Sequence, residues 1–164
     1  QGYTYDSAQA SFEILARKEL GQMPEFFEVK RYKVTVERRK NKYDRMVSLS
    51  EAVVVVKVDG DKKLSVSESM DEAGCDRGPV NALARALAKD LGPYQDQIAD
   101  MHLVDFKVRI TQGGTEAVTR VIIDSQDSAG PRWSTVGVSP NIVDASFEAL
   151  LDAINWKLLY EGAE

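Results

Sequence analysis

Tyr32-Lys33-Val34-Thr35-Val36 and Phe106-Lys107-Val108-Arg109-Ile110 are two versions of one pattern, an aromatic residue followed by alternating polar and apolar residues. Alternation with a period of two marks a strand that buries one face. The segments downstream of the two pentads are paired as well. Glu51-Ala52-Val53 is echoed by Glu116-Ala117-Val118, and Val80-Asn81-Ala82 by Val143-Asp144-Ala145. A repeat constrains the whole chain, so these echoes decide the fold.

Working outward from the first pentad, Phe27 and Val29 open the strand after Pro24, and the change of phase asks for a break or bulge near Arg31. The polar stretch Lys40 to Ser48 reads as a connection to a second strand, Ser50 to Val58. There the unbroken apolar run Val53 to Val56 predicts cover on both faces. Asp59-Gly60-Asp61 turns the chain into a third strand, Leu64 to Ser67. The loop Asp71 to Gly78 then leads to a helix from Pro79. Its stripe is Val80, Leu83, Ala84, Leu87 and Leu91, and Gly92-Pro93 ends it. The second unit repeats this order. Gly113-Gly114 is a hairpin turn, Asp124 to Pro131 a longer one, and Trp133 to Val138 the third strand. Phe147, Leu150, Leu151, Ile154 and Leu158 form the stripe of the closing helix. Ahead of both units, Asp6 to Leu20 reads as a helix burying Ala8, Phe12 and Leu15. Asp6 or Ser7 is its cap and Gly21 its stop. The expected fold is α+β: an N-terminal helix (1–23), then two pseudo-symmetric βββα units (24–93 and 94–164) with antiparallel sheets covered by helices. Units that each expose one apolar face are expected to pack around a pseudo-twofold axis or against a second copy, making the protein a dimer.

Composition narrows the function. The chain has 164 residues, 43% hydrophobic and 29% charged, with a formal charge of −5. That balance removes general attraction to polyanions and to membrane surfaces. No apolar run approaches the ~18 residues a bilayer span needs, and no signal-like segment opens the chain, so a cytoplasmic location is expected. A lone Cys75 excludes an internal disulfide, and with one histidine, His102, a zinc site is not expected. Cys75 reads as a plain loop thiol and His102 as a structural or solvent-facing imidazole at the start of a strand. None of the phosphate-loop, nucleophile-elbow or zinc-protease motifs is present, so no catalytic residue is assigned. The chain begins with Gln1 directly before a helical pattern, which reads as a piece cut from a longer polypeptide.

Gly78-Pro79-Val80-Asn81-Ala82-Leu83 after an Asp/Gly loop, and Thr135-Val136-Gly137-Val138-Ser139 followed by Asn141-Ile142-Val143-Asp144-Ala145-Ser146, resemble the C-terminal regulatory domain of the alpha-isopropylmalate synthase family. Ala8 to Gly21 and Trp133 to Val138 look most like its citramalate synthase branch. The resemblance implies a parent enzyme that condenses acetyl-CoA with a 2-oxo acid, using a divalent metal in an N-terminal (β/α)8 barrel absent here. No residue of this chain matches the barrel's motifs, so the resemblance implies no catalysis and no cofactor in this piece. It implies instead a homodimeric feedback sensor for a branched-chain amino acid, isoleucine in the citramalate branch and leucine in the other.

Such a ligand needs an acceptor for its ammonium, donors for its carboxylate and an apolar slot. Asp71 is placed to hold the ammonium, and the helix start from Gly78 to Asn81, with Pro79 in the first turn and the amides of Val80 and Asn81 beyond it, offers free N–H groups to the carboxylate. Leu91, Tyr94 and Ile98, at helix-like spacing, with Met70 and Val108, resemble the apolar inhibitor contacts of citramalate synthases. Core packing is the alternative for Leu91 and Val108, and a solvated loop carboxylate for Asp71. The loop 71–78 departs from the family's shorter, glycine-rich stretch by carrying two more acids and an arginine. Its charge favours the ammonium and opposes the carboxylate.

Two other readings compete. One is a purely structural dimerisation module. The other is a double-stranded RNA-binding module, because the first ninety residues run αβββα and Lys30 to Arg45 holds eight basic residues. That module expects a basic start to its second helix, and Gly78-Pro79-Val80-Asn81-Ala82 has none. Residues 1–92 carry +1 and residues 93–164 carry −6, so a solvated outer sheet face is the more economical account and no nucleic-acid partner is expected.

Overall fold

The computed structural model describes residues 9–58, 60–71, 79–89, 91–111, 117–128, 130 and 132–160; of residues 67–71 and 79, among a few others, only the backbone is described. The chain forms two compact units. One is Phe27–Gln95; the other joins Gln1–Phe26 to Asp96–Glu164.

In the first of these, β1 (Glu28–Lys40), β2 (Met46–Val58) and β3 (Asp61–Asp71) form an antiparallel sheet in that order, and α2 (Pro79–Lys89) covers it, mainly over β2 and β3. The register of β1 on β2 shifts between Val29 and Arg31, where the change of phase asks for a bulge. The strands run longer than the sequence pattern predicts. Lys40 to Ser48 is a hairpin, not a connection: Lys40 pairs with Met46, and Asn41 organises the turn. Its side-chain oxygen accepts the amides of Tyr43 (2.9 Å) and Arg45 (3.0 Å), and Asp44 takes a positive φ of 60°. Likewise β3 extends from Asp61 to Asp71 rather than Leu64 to Ser67. Charged and small polar residues on a solvated ladder look like loop to a pattern based on hydrophobicity. Ala52, Val54, Val56 and Val58 are buried on the face beneath α2, and Val53 and Val55 on the other face are half-buried. On α2 the deepest residues are Ala82, Leu83, Ala86 and Leu87; Val80 and Ala84 are only half-buried.

In the second unit β4 (His102–Thr111), β5 (Val118–Gln126) and β6 (Arg132–Ser139) repeat the arrangement under α4 (Ile142–Tyr160). Asn141 caps α4, its side-chain oxygen accepting the amides of Val143 (2.8 Å) and Asp144 (3.3 Å). The inward residues of β6 meet α4 at four-residue steps. Trp133 donates its indole N–H to the Ala153 carbonyl (3.2 Å), Thr135 its hydroxyl to that of Ala149 (2.8 Å), and Gly137 lies against Ala145. A Cβ on Gly137 would overlap the Ala145 carbonyl and crowd the Ala149 nitrogen at 3.0 Å, so only glycine lets the helix settle this close. Leu150, Ile154 and Leu158 are fully buried along the same helix, each worth about 1.5–3 kcal/mol. Of the predicted stripe only Leu151 is partly exposed.

The first helix, α1 (Gln9–Glu19), belongs with this second sheet, packing on α4 and β6. It ends as Gly21 predicts: Gly21 adopts φ +67°, its amide reaching Lys18 O (3.1 Å) and that of Gln22 reaching Arg17 O (2.8 Å). The face it buries is not the predicted one. Phe12 and Leu15 are exposed, at 53% and 43%, and the docking face is Ala10, Ser11 and Ile14. Small residues win because Ser11 must reach the edge of β6: its hydroxyl oxygen accepts the Val136 amide (2.9 Å) and its proton goes to Asp152 (2.8 Å). The αβββα order of the first ninety residues is therefore split between the two units. Ala8, the cap residues Asp6 and Ser7, Cys75 and the Gly113-Gly114 turn lie outside the described residues.

Candidate functional site

The predicted effector residues are distributed over both units. Met70 and Asp71 end β3, opposite Leu49 and Ser48 of β2. Pro79 is the first residue of α2 and Val80 lies half-buried in its first turn; Gly78 falls outside the described residues. Lys89, in the last turn of α2, donates to Val66 O (3.0 Å) in mid-β3. The amides of a first helical turn have no partner within the helix.

Leu91, fully buried, precedes the 3-10 turn Gly92–Tyr94, and Tyr94, 7% exposed, is its last residue. Ile98, 4% exposed, closes the short α3 (Gln95–Ile98), and Val108, 39% exposed, sits on β4 opposite Val121. Ile98 and Val108 belong to the second unit. His102 is exposed at the start of β4.

The sequence reading missed a feature of the second unit, an open groove of about 410 Å3 bounded by α1, the start of β6 and the end of α4. Its apolar wall is a ladder of rings, with Trp133 and Trp156 centred 5.1 Å apart and Trp156 and Tyr160 4.1 Å apart. Glu13 stands over the ladder and takes the Tyr160 hydroxyl at 2.7 and 2.8 Å and Arg17 at 3.3 Å. The Tyr160 hydrogen bond holds the Glu13 carboxyl below the usual carboxylate range and raises the phenol in turn. Trp156 and Tyr160 stand four residues apart on α4, a spacing that puts two side chains on one helix face and was the only signal in the sequence.

A polar cluster lies at the turn between β5 and β6. Lys157, 2% exposed, pairs with Asp127 (2.5 Å) and Asp100 (3.4 Å). The Ser128 hydroxyl and amide, bonded to Asp100, are the main hold keeping its carboxyl down at about 2. Among the described residues no group of three or more His, Cys, Asp and Glu is placed to hold a metal ion, and no helix is long and apolar enough to cross a membrane.

A duplicated βββα domain whose first helix folds back onto its second sheet is the class this architecture defines. The chain belongs to the LeuA allosteric (dimerisation) domain family, whose model matches residues 6–158. Its relatives include citramalate synthases and a 2-isopropylmalate synthase. An (R)-citramalate synthase of Geobacter sulfurreducens is 41% identical over 160 residues, 96% of this chain and 28% of that protein. One of Aquifex aeolicus is 37% identical over 166 residues, 100% and 29%. A 2-isopropylmalate synthase of Clostridium kluyveri is 32% identical over 149 residues, 91% and 24%. The chain thus spans less than a third of the length of these relatives. The family resemblance read from the two helix-start motifs and from Trp133 to Val138 is correct, and this is a regulatory domain of the citramalate and isopropylmalate synthase family.

Proposed function

We propose that this domain is the feedback sensor of a citramalate synthase and binds isoleucine as an allosteric inhibitor, as a homodimer. The observation that carries the reading is the closer similarity to citramalate synthases, 41% identity against 32% for the isopropylmalate synthase. In this reading Asp71 takes the ammonium, and the amides at Gly78 and Val80, on either side of Pro79 where the helix starts, take the carboxylate. Met70, Leu91, Tyr94, Ile98 and Val108 shape the apolar slot. The condensation of acetyl-CoA with pyruvate, and the divalent metal it uses, belong to a catalytic region outside this sequence. The effector acts by favouring one arrangement of that region over another, so substrates and inhibitor weaken each other's binding reciprocally.

Calorimetric titration with isoleucine, leucine and valine, with the mass in solution recorded alongside, tests the proposal. Isoleucine is expected to bind saturably and ahead of leucine, and Asp71→Ala to abolish binding without loss of stability. Preference for leucine moves the domain to the isopropylmalate branch, a second reading that the Clostridium kluyveri relative supports. A folded dimer that binds none of the three is a dimerisation module.

A further inference from the structure

The groove beside α1 has no part in the effector reading, yet it is lined as a ligand site. It carries one charge of each sign, Glu13 from α1 and Arg132 from β6, which make no ion pair with each other. Arg132 has no ion-pair partner among the described residues. Glu13 is held in place by Tyr160 and Arg17, and a carboxylate has acceptor capacity beyond those two bonds. The buried Trp156 indole N–H faces Glu13 and adds to the hold on its carboxylate. The rings of Trp133, Trp156 and Tyr160 are stacked on one another, and Tyr160, 57% exposed, is the end that a further ring can extend. A volume of about 410 Å3 is within the range of small-molecule sites.

We propose that this groove binds a small zwitterion bearing an aromatic ring, of the aromatic α-amino acid class. Glu13 receives the ammonium, Arg132 receives the carboxylate, and the ring extends the aromatic stack at Tyr160. The site shares no residue with the proposed effector site, so it stands or falls independently of isoleucine sensing.

Trp133 and Trp156 are the two tryptophans of the chain, and both line the groove, so tryptophan emission from the whole chain reports on it directly. Phenylalanine, itself dark under excitation selective for tryptophan, is expected to change that emission saturably. Phenylacetate, which lacks the ammonium, and phenethylamine, which lacks the carboxylate, are each expected to bind about tenfold or more weakly, the effect of one lost charged hydrogen bond. Arg132→Ala is expected to weaken phenylalanine by a similar factor, and saturating isoleucine to leave the response in place. The assignment is overturned if a natively folded chain shows no saturable response, if either analogue matches phenylalanine, or if isoleucine displaces it. Arg132 is an exposed residue at a strand start, so its substitution tests binding and not folding.

Discussion

Asp152 is the residue at which burial and charge are most at odds. Burial pushes its carboxyl up to about 6 even though Ser11 donates to it and Lys18 stands near, while Glu148 adds to the rise. A carboxyl whose folded-state value is raised contributes most stability when protonated. That contribution is full below its unfolded value of 3.8 and is lost as the pH climbs through about 6. Wild-type stability is therefore expected to fall by on the order of 2 kcal/mol from this group between about pH 4 and pH 7. Asp152→Asn should flatten that slope in urea melts. Lys157 presents the opposite case, a buried cation with its partners in place. Lys157→Ala leaves Asp127 facing an empty site, and a loss of about 3 kcal/mol is expected in the same melts. Neither residue was legible beforehand, because their significance comes from partners 141 and 30 positions away.

At the scale of elements, periodicity exposed what hydrophobicity organises and hid what hydrogen bonds organise. The echo of Val80-Asn81-Ala82 in Val143-Asp144-Ala145 located both covering helices, and the buried pair Ala82 and Ala86 recurs as Ala145 and Ala149. The extents of β2 and β3 were missed because solvated serines and lysines carry no apolar signal. The docking face of α1 was missed because Phe12 and Leu15 outweigh Ser11 on any scale of hydrophobicity, although Ser11 makes the bonds to Val136 and Asp152. Ser11→Ala should cost about 1–2 kcal/mol by orphaning the buried Val136 amide, and amide exchange across Gln9–Glu19 should quicken more than elsewhere. Gly137→Ala should be worse, about 3 kcal/mol or more, because backbone and not a flexible side chain occupies the space. Loss of the near-ultraviolet signal of Trp133, whose indole bonds α4 at Ala153, would register the lifted helix.

For the whole molecule, the effector reading drew on residues 70–108, a stretch that crosses from one compact unit into the other at Gln95. Family motifs directed the reading to that stretch, because no local pattern of charge or hydrophobicity marks it as a site. The aromatic groove drew on Glu13 and Tyr160, 147 positions apart, and no local motif announces such a pair. In pulse-labelled refolding, amides of β1, β2 and α2 should gain protection before those of α1, because the contacts of their unit close over shorter stretches of chain. The same separation sets an order of events during synthesis. Residues 27–95 have left the ribosome, with their partners, while α1 still waits for Val136 and Asp152 to be made. The helix translated early in this chain is thus the last to be seated. A nascent chain arrested before β6 carries it as an unclaimed segment, open to chaperones or to the α4 of a finished neighbour.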